Sequence, residues 1–475
     1  MAINNIHIDE PLLLEIGRVA DAESIAAYVV GGYVRDRMLN KDVKDIDVVV
    51  LGNGVEFATK MTKLWKATNL VVYERFGTAM IQLESYKIEF VGARKESYRK
   101  ESRNPDVDRG SLADDLSRRD FTINAIAASL NSGSIGSLED PFNGQADLKS
   151  KILKTPLDPE KTFDDDPLRI LRAVRFSSQL SFEIDPTVLS AGKKMKERLK
   201  IVSQERITDE LLKIILSPIP SVGLQAAYDM GLLGVIFPEL ESLAGVDQRQ
   251  EFHHKDVFRH TLMVLDNISG RTDNVWLRFA GLLHDIAKPK TKAFVEGTGW
   301  TFHGHEELGA RMVKPIFRRM RLPLEHVPYV EKLVRLHLRP MALVDTVVTD
   351  SAVRRLMFDA GAEVDDLMVL CRADITSKNP KLVEQVRKNY ELVIEKMKEV
   401  EEKDRIRNWQ PPLRGEEIMR LCDLVPSKLV GILKNRITDA ILDGNIPNEH
   451  DAASAYLLQI KDDVIRKYLE GLASS

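Results

Sequence analysis

The chain has 475 residues, of which 44% are hydrophobic and 29% charged, and its formal net charge is −4 at pH 7. This composition excludes a chain that is disordered throughout, and the charge excludes a surface coated in positive charge for nucleic acid, so any RNA-binding surface has to be local. The only cysteines, Cys371 and Cys422, exclude a disulfide framework and a CxxC metal site.

The length allows about three domains of roughly 150 residues each. No stretch approaches the roughly 18 consecutive apolar residues of a membrane span. The start, MAINNIHIDEPLLLEI, has no basic end followed by an apolar stretch, as a secretion signal would. We therefore expect a cytoplasmic protein without membrane contact.

Along the chain, residues 26–126 mix β-rich runs (AAYVV, DIDVVVL, AMIQL, KIEFVG) with helical segments. After Asp164, nearly every segment reads as a helix of roughly 10 to 20 residues that Pro or Gly ends. The predicted fold class is α+β, with a mixed sheet in the head and only helices behind it. The expected divisions are a head (1–150), a helical neck (151–245), a metal-binding helical bundle (246–380) and a helical tail (381–475).

Two segments of the head have their own predictions. Residues 99–117, RKESRNPDVDRGSLADDLS, are polar, rich in both charges and contain Pro and Gly, which predicts a mobile loop. Residues 121–130, FTINAIAASL, are predicted to form a helix.

The strongest local pattern joins a glycine turn to two carboxylates. AAYVV leads into Gly31-Gly32 and then a helix start, a junction whose free N–H groups suit a triphosphate. Asp45 and Asp47 are two apart on the next hydrophobic strand, so both side chains leave the same face. Like charges side by side raise the cost of both, and Mg²⁺ ions would supply the missing partner.

These residues resemble a known family. GGYVRD, DIDVVV, RRDFTINA (118–125), DPFNG–DL (140–148) and DDPLRILRAVRF (165–176) occur in the order found in class II tRNA nucleotidyltransferases, the CCA-adding enzymes, and their sister bacterial poly(A) polymerases. The resemblance implies a polymerase-β-like nucleotidyltransferase head that adds CCA to the 3′ end of tRNA from CTP and ATP without a template. It also implies that the neck and tail, including LRGEEIMRLCDLVPSKLVGIL, hold the acceptor arm of the tRNA.

The resemblance assigns roles to matching positions. In it, Asp45 and Asp47 hold the metals, Arg35 and the Gly31-Gly32 turn hold phosphates, Arg119 and Asp120 contact the ribose, and Asn124 supports that corner. For Asp120 the alternative is an N-cap of the helix predicted at 121–130. Glu89 is either a third carboxylate facing the metals or a solvated residue near a strand end.

A second pattern could select the nucleotide base. Asp166 and Arg169 are three apart on a predicted helix and share a face. Asp offers only acceptors and Arg only donors, so the pair accepts the amino groups of C and A and repels the carbonyls of U and G. The resemblance assigns them the same role. Arg172, and less directly Arg175, would contact the triphosphate, and the alternative is an acidic first turn balanced by arginines.

Behind the head, a histidine-rich pattern predicts a metal centre. A His-Asp pair in an apolar helix is costly to bury without a metal or hydrogen-bond partners. The order H…HD…D resembles the HD phosphohydrolase superfamily, and the ligand set does not choose among Mn, Fe, Ni, Co and Mg. The predicted ligands are His260, His284, Asp285 and Asp374, with His305 and His337 for a second metal and His253-His254 preceding them.

Four alternatives remain open at this stage. The first is poly(A) polymerase, against which the HD domain and the lack of a long basic extension argue. The second is a partial enzyme that adds only CC or only A, and the length of residues 99–117 argues against the CC-only form. The third is a catalytically dead RNA-binding protein. The fourth makes the HD centre the main activity and the head a sensor.

Overall fold

A computed structural model describes residues 4–74, 77–99, 102–250, 253–297, 299–344, 349–377, 379–404 and 411–473. They divide into two compact units, residues 1–241 and 242–475. No helix among the described residues has both the length and the apolar character needed to cross a bilayer.

A mixed seven-stranded sheet is the framework of the first unit, in the order β3-β4-β5-β2-β1-β8-β9. Neighbouring strands are antiparallel except β2 and β5, which are parallel. A separate antiparallel hairpin joins β6 to β7. The strands are β1 (Ala27–Val30), β2 (Asp45–Val50), β3 (Leu70–Tyr73), β4 (Thr78–Gln82), β5 (Lys87–Gly92), β6 (Arg94–Arg99), β7 (Ser102–Arg109), β8 (Ala127–Ser129) and β9 (Leu138–Glu139).

The head helices pack on both faces of this sheet, since Leu116 packs with Val49, which lies on the same face as Asp45 and Asp47. They are α1 (Pro11–Ala22), α2 (Gly32–Met38), α3 (Gly54–Trp65), α4 (Leu112–Ser117) and α5 (Gly144–Ser150). Ile46, Val48 and Val50 pack in one core with residues of α1 and α3. Because side chains alternate along a strand, Asp45 and Asp47 leave the opposite face.

Two segments of the head differ from the prediction. Residues 99–117 are not a loop: they hold the end of β6, the strand β7 and the helix α4, and Lys100 and Glu101 lie outside the described residues. The Oγ of Ser111 accepts from the N–H of Asp114, whose carboxylate accepts from the N–H of Ser111, so a capping box begins α4. A polar hairpin has no apolar alternation, so the sequence gives no strand signal.

The helix predicted at residues 121–130 is also wrong. Thr122–Asn124 form one 3₁₀ turn, and the following residues form β8, which pairs with β1. A short, wholly apolar run does not distinguish a buried strand from a buried helix, and here the sheet supplies the backbone partners.

A helical neck completes the first unit. Its centre is α7, which packs against α9 and α10. Two short strands, β10 (Ile152–Leu153) before α6 and β11 (Glu183–Ile184) after α7, pair in parallel with each other. The helices are α6 (Pro159–Asp165), α7 (Leu168–Leu180), α8 (Pro186–Met195), α9 (Gln204–Ile215), α10 (Pro220–Asp229), α11 (Leu233–Ile236) and α12 (Pro238–Glu241).

The second unit contains a helical bundle with two hairpins, followed by the tail. In the bundle α13 packs on α14 and α20, and α17 packs on α14 and α16. Its elements are β12 (Asp247–Gln250), β13 (His253–Asp256), α13 (Val257–Ser269), α14 (Val275–Leu283), α15 (Lys288–Thr291), β14 (Ala293–Val295), β15 (Gly299–Thr301), α16 (His305–Arg319), α17 (Val327–Leu336), α18 (Arg339–Val344), α19 (Asp350–Ala360) and α20 (Val364–Ala373).

The tail consists of α21 (Pro380–Asp404), α22 (Gly415–Cys422), α23 (Lys428–Leu442) and α24 (His450–Ala473). Leu413, Ile418, Leu433, Ile437 and Leu457 belong to a core of its own. The α+β prediction, with a mixed sheet in the head and mostly helices behind it, is therefore confirmed. The expectation of only helices behind the head is wrong in detail, because the two-stranded sheets β10–β11, β12–β13 and β14–β15 lie between those helices.

Candidate active site and metal centre

The glycine turn after β1 brings a carboxylate and an arginine together. Gly31 has φ +69°, a conformation that favours glycine. A Cβ at this position would lie 2.7 Å from Nη1 of Arg119 and 3.5 Å from Oδ2 of Asp47. A side chain at this position would therefore strain the turn and push the end of Arg119 away from Asp47.

Three carboxylates lie on the face of the sheet opposite α1 and α3. Asp47 and Glu89 are register partners on the parallel strands β2 and β5, and Asp45 lies two residues before Asp47. Burial raises the pKa of Asp47, and Asp115 and Asp45 raise it further against the effect of Arg119. Burial and the charge of Asp47 also raise the pKa of Glu89. This excess of negative charge fits a divalent cation, since oxygen ligands suit hard cations.

The head carboxylates alone do not enclose a metal ion. Within the described part of the head, no three His, Cys, Asp or Glu side chains bring ligand atoms within 4.8 Å of one another. Mg²⁺ commonly takes one or two protein carboxylates and completes its coordination with substrate phosphates and water. The arrangement therefore fits an ion held jointly with a triphosphate.

Arg119 is oriented by a residue that the sequence analysis missed. The fully buried Asp115 lies in α4, where its Oδ2 accepts from Nη2 of Arg119 at 3.2 Å and its Oδ1 from Nη2 of Arg118 at 2.5 Å. Burial would raise the pKa of Asp115, but the two arginines hold it below its usual value. In the sequence, the signal that could have pointed to Asp115 is the capping pattern at Ser111, because that pattern marks the start of the helix that carries Asp115.

Asp120, Asn124, Arg35 and Arg172 form one buried polar network. Asp120 Oδ1 accepts from the side chain of Asn124 at 3.0 Å, and Asp120 Oδ2 accepts from Nε of Arg172 at 2.7 Å. Asn124 Oδ1 in turn accepts from Nη1 of Arg35 at 2.7 Å. Burial would raise the pKa of Asp120, but Arg172 and the bond from Asn124 keep it well below its usual value.

The N-cap alternative for Asp120 is not what the structure has. Its carboxylate accepts from the adjacent N–H of Phe121 at 2.9 Å, while Phe121 itself precedes the 3₁₀ turn and makes no side-chain cap. The main partners of Asp120 are Asn124 and Arg172, which donate from their side chains, whereas an N-cap accepts from the backbone N–H groups of the first turn.

The ring of Phe176, also missed from the sequence, gathers three arginines. The guanidinium carbons of Arg35, Arg172 and Arg175 lie 5.1, 5.5 and 4.4 Å from its centroid. Arg175 also bonds Glu210 of α9 at 2.9 Å. Burial and the charge of Arg172 lower the pKa of Arg175 to about 10. Each of the three guanidinium groups also pairs with one carboxylate, those of Asp36, Asp120 and Glu210.

The two residues expected to read the base do not both lie within one helix. Asp166 ends α6 in an extended conformation, and α7 begins at Leu168, because Pro167 disfavours helix at the preceding residue. Asp166 Oδ1 accepts from the N–H of Leu168 at 3.1 Å, and its Oδ2 accepts from Nη2 of Arg206 at 3.2 Å.

The guanidinium of Arg169 is held by backbone carbonyls. Nη1 donates to Thr162 at 3.3 Å and Nη2 donates to Arg118 at 2.6 Å. The guanidinium has five N–H donors, so others remain for a ligand.

The predicted metal ligands of the second unit converge in two groups, which share Asp285. His260, His284 and Asp285 form one, and Asp285, His305 and His337 form the other, all buried. Asp285 Oδ2 lies 3.2 Å from Nε2 of His284, and Asp285 Oδ1 lies 3.3 Å from Nε2 of His305. Asp374 joins the first group, with Oδ1 2.8 Å from Nε2 of His260. The side chains of His253 and His254 lie outside the described residues.

Hydrogen bonds orient three of these imidazoles with Nε2 toward the centre of the cluster. The Nδ1–H groups of His284, His305 and His337 donate to the carbonyls of Gly281, Phe302 and Val334 at 2.6 to 2.7 Å. Such bonds fix the tautomer whose Nε2 lone pair faces the centre. In each group, two Nε2 atoms then face each other at 3.3 to 3.4 Å, an arrangement that favours a cation between them.

The electrostatics of this centre also attract positive charge. Burial would lower the pKa of His284, but Asp285 and Asp374 outweigh it and raise the pKa to about 10. Burial and the charge of His284 lower the pKa of His337 to about 4, which leaves that ring neutral at pH 7. The sequence analysis missed Lys288 and Thr376, which contact Asp285 and His260 at 2.7 and 2.8 Å.

Three family models match this chain. They are the poly A polymerase head domain over residues 27–154, a probable RNA and SrmB-binding site of polymerase A over 181–243, and the HD domain over 257–379. The A-adding tRNA nucleotidyltransferase of Deinococcus radiodurans is 34% identical over 351 residues, which are 72% of this chain and 78% of that protein. The chain belongs to the tRNA nucleotidyltransferase family.

Other relatives support the same assignment. The multifunctional CCA protein of Acidovorax ebreus is 33% identical over 368 residues, 73% of this chain and 81% of that one. A crystal structure of a tRNA nucleotidyltransferase with a primer tRNA and an incoming ATP analogue has a TM-score of 0.58 at 25% identity, covering 81% of this chain and 99% of that chain.

The fold has a further counterpart in the Bacillus stearothermophilus CCA-adding enzyme in complex with CTP. Its TM-score is 0.65 at 22% identity, and the match covers 97% of this chain and 100% of that one. The predictions of the family and of a nucleotidyltransferase enzyme with an HD domain are confirmed.

Proposed function

We propose that this nucleotidyltransferase adds CCA to the 3′ end of tRNA from CTP and ATP without a nucleic-acid template. The observation that carries the proposal is that Asp47, with Asp45 on the same face of β2, lies beside the Gly31 turn and Arg119. Its tRNA substrate is supported by relatives whose names include tRNA and CCA addition.

The residues divide the work of an in-line displacement. The 3′ hydroxyl of the RNA attacks the α-phosphorus of the nucleotide, and pyrophosphate leaves. Mg²⁺ at Asp45 and Asp47 would activate that hydroxyl and neutralise the triphosphate. Arg35, Arg172 and Arg175, which lie around Phe176, hold the triphosphate through guanidinium donors beyond those that bond Asp36, Asp120 and Glu210.

The remaining polar groups position the sugar and the base. Arg119 and Asp120 face the ribose, and Asn124 supports them through its bonds to Asp120 and Arg35. Asp166 and Arg169 select C and A because their bonds within the protein leave an acceptor and donors for the base edge.

A second candidate is addition of the terminal A alone. It is favoured by the Deinococcus radiodurans relative, an A-adding tRNA nucleotidyltransferase at 34% identity. One experiment separates the candidates: incubation with labelled CTP and ATP of tRNA lacking CCA and of tRNA ending in CC, followed by sequencing of the products. CCA on both substrates supports full addition, whereas extension of the CC end only would establish the A-adding enzyme. Long A tracts would establish poly(A) polymerase.

For the HD centre we propose a divalent metal, a transition metal or Mg²⁺, and hydrolysis of phosphoesters at RNA ends. The inward-facing Nε2 atoms and the shared Asp285 support two metal positions. The neck and tail are proposed to hold the acceptor arm, and the expected cytoplasmic location remains a prediction.

A further inference from the structure

The hairpin β14–β15 carries two exposed aromatic rings. Phe294 and Trp300 are register partners, with 60% and 39% of their surfaces exposed. Their ring centroids lie 5.3 Å apart in an edge-to-face arrangement. Exposed large aromatic side chains placed side by side indicate a binding surface.

Positive charge lies beside these rings. Nζ of Lys292 is 4.6 Å from the centroid of Trp300. Neither Lys290 nor Lys292 has a salt bridge to any described carboxylate, and the hairpin has one acidic residue, Glu296, near its turn. Interleaved cations and aromatic faces are typical of surfaces that bind single-stranded nucleic acid, since lysines contact phosphates and bases stack on the rings.

The base of the hairpin adjoins the HD centre. Phe302 follows β15, and its carbonyl accepts from Nδ1 of the metal-ligand candidate His305 at 2.7 Å. Lys288 Nζ lies 2.7 Å from Oδ2 of Asp285 and 5.7 Å from the centroid of Phe302. Trp300 is two residues before Phe302, or roughly 7 Å along an extended strand. The hairpin therefore leads along the chain into the contacts around Asp285 and His305.

We propose that this hairpin binds the end of a single-stranded RNA whose terminal phosphate enters the HD centre. Phe294 and Trp300 stack on the final bases and Lys292 holds the backbone. Because every base has a stacking face, the surface selects RNA ends without selecting sequence. A protein partner is the less favoured occupant, since it would not require unpaired lysines beside the rings. The proposal rests on the phosphohydrolase function proposed for the HD centre.

The test compares the full-length protein with the F294A/W300A variant on two substrates. One is a single-stranded hexanucleotide with a 2′,3′-cyclic phosphate end, and the other is bis(p-nitrophenyl) phosphate, which has no base. We expect KM for the hexanucleotide to rise about a hundredfold, since the variant loses two base stacks of roughly tenfold each, with turnover of the small ester and bound metal unchanged. Leu392→Ala is the matched control, since Leu392 of α21 is also 60% exposed, and it should change neither substrate.

A second readout separates this proposal from the HD function itself. If the protein hydrolyses neither substrate, the phosphohydrolase function fails. Photo-crosslinking of a 4-thiouridine hexanucleotide, mapped by mass spectrometry, then tests the hairpin alone. A crosslink in residues 293–301 that is lost in F294A/W300A supports the proposal. An unchanged KM in that variant, or no crosslink to the hairpin, overturns it and leaves the aromatic pair to a protein partner.

Discussion

Single side chains decide which nucleotide the proposed site accepts. Asp166→Ala removes the acceptor that repels the carbonyls of UTP and GTP, so we expect their misincorporation to rise roughly ten- to a hundredfold while CTP and ATP use falls. Arg169→Ala removes donors, so CTP and ATP use should fall without a gain for UTP or GTP. Single-turnover addition of all four nucleotides to one tRNA measures both patterns.

Arg206→Ala is the control for a purely structural role of Asp166. The substitution removes the hydrogen bond that Arg206 donates to Asp166 but keeps the Asp166 carboxylate. We expect a smaller loss that is uniform across the nucleotides. Equal losses for all four nucleotides in both Asp166→Ala and Arg169→Ala would refute base selection by this pair.

The paired carboxylates should matter for chemistry and not for RNA binding. With Asp45→Ala or Asp47→Ala, addition of both CTP and ATP should fall to background, since the metals would lose a ligand. Binding of tRNA, measured by gel shift, should stay within about twofold. The fold should persist because Arg119 keeps its buried partner Asp115. Near-normal turnover in either variant would remove the head carboxylates from the mechanism.

For single residues, the sequence predicted those that stand out from their neighbours in the chain. It missed those whose role depends on contacts with residues far away in the sequence. Asp45 and Asp47 stand out because two acids interrupt a hydrophobic strand. Asp115 and Phe176 have no such signal, because their importance comes from partners that only the fold brings near.

Among the elements, α1 approaches the sheet closely enough to require a glycine. A Cβ on Gly17 would lie 2.0 Å from the carbonyl oxygen of Leu130, which is backbone and cannot move aside. Gly17→Ala should therefore destabilise the head by about 3 kcal/mol, an overpacking effect. A urea titration with nucleotide addition as the probe measures the loss. Gly133→Ala is the matched control, since nothing lies within 4 Å of its Cβ position, and similar midpoints for the two variants would contradict this account.

The strands could be predicted where one face of the strand is buried in the core and the other is not. The run KIEFVG matches β5, and DIDVVV matches β2, because apolar β-branched residues alternate there or follow a clear turn. The hairpin β6–β7 and the strand β8 were not predictable, the first because it is polar and the second because its apolar run fits either element. Tertiary pairing decided both.

For the whole molecule, nucleotide addition in the head and metal binding in the HD centre should be separable. Replacing His284 and Asp285 together by Ala should eliminate bound transition metal and leave nucleotide addition within about twofold, since the head residues lie in a different compact unit. Elemental analysis measures the bound metal, and extension of tRNA measures nucleotide addition. Because both residues are fully buried, Asp285→Asn, which preserves volume, is the companion variant. Metal retained in both variants would disprove this ligand assignment.

The cluster around Phe176 ties nucleotide occupancy to thermal stability. Burial and repulsion from Arg172 lower the pKa of Arg175 to about 10, and Arg35 is held beside the same ring. A bound polyanion relieves that repulsion only in the folded head, so by linkage it stabilises the fold by about 2.7 kcal/mol at a hundredfold excess over Kd. Thermal unfolding should shift upward with ATP or inorganic pyrophosphate, and less in Arg172→Ala; equal shifts would contradict the linkage. In a cell rich in ATP, the head would rarely exist in the fragile form that a nucleotide-free preparation contains.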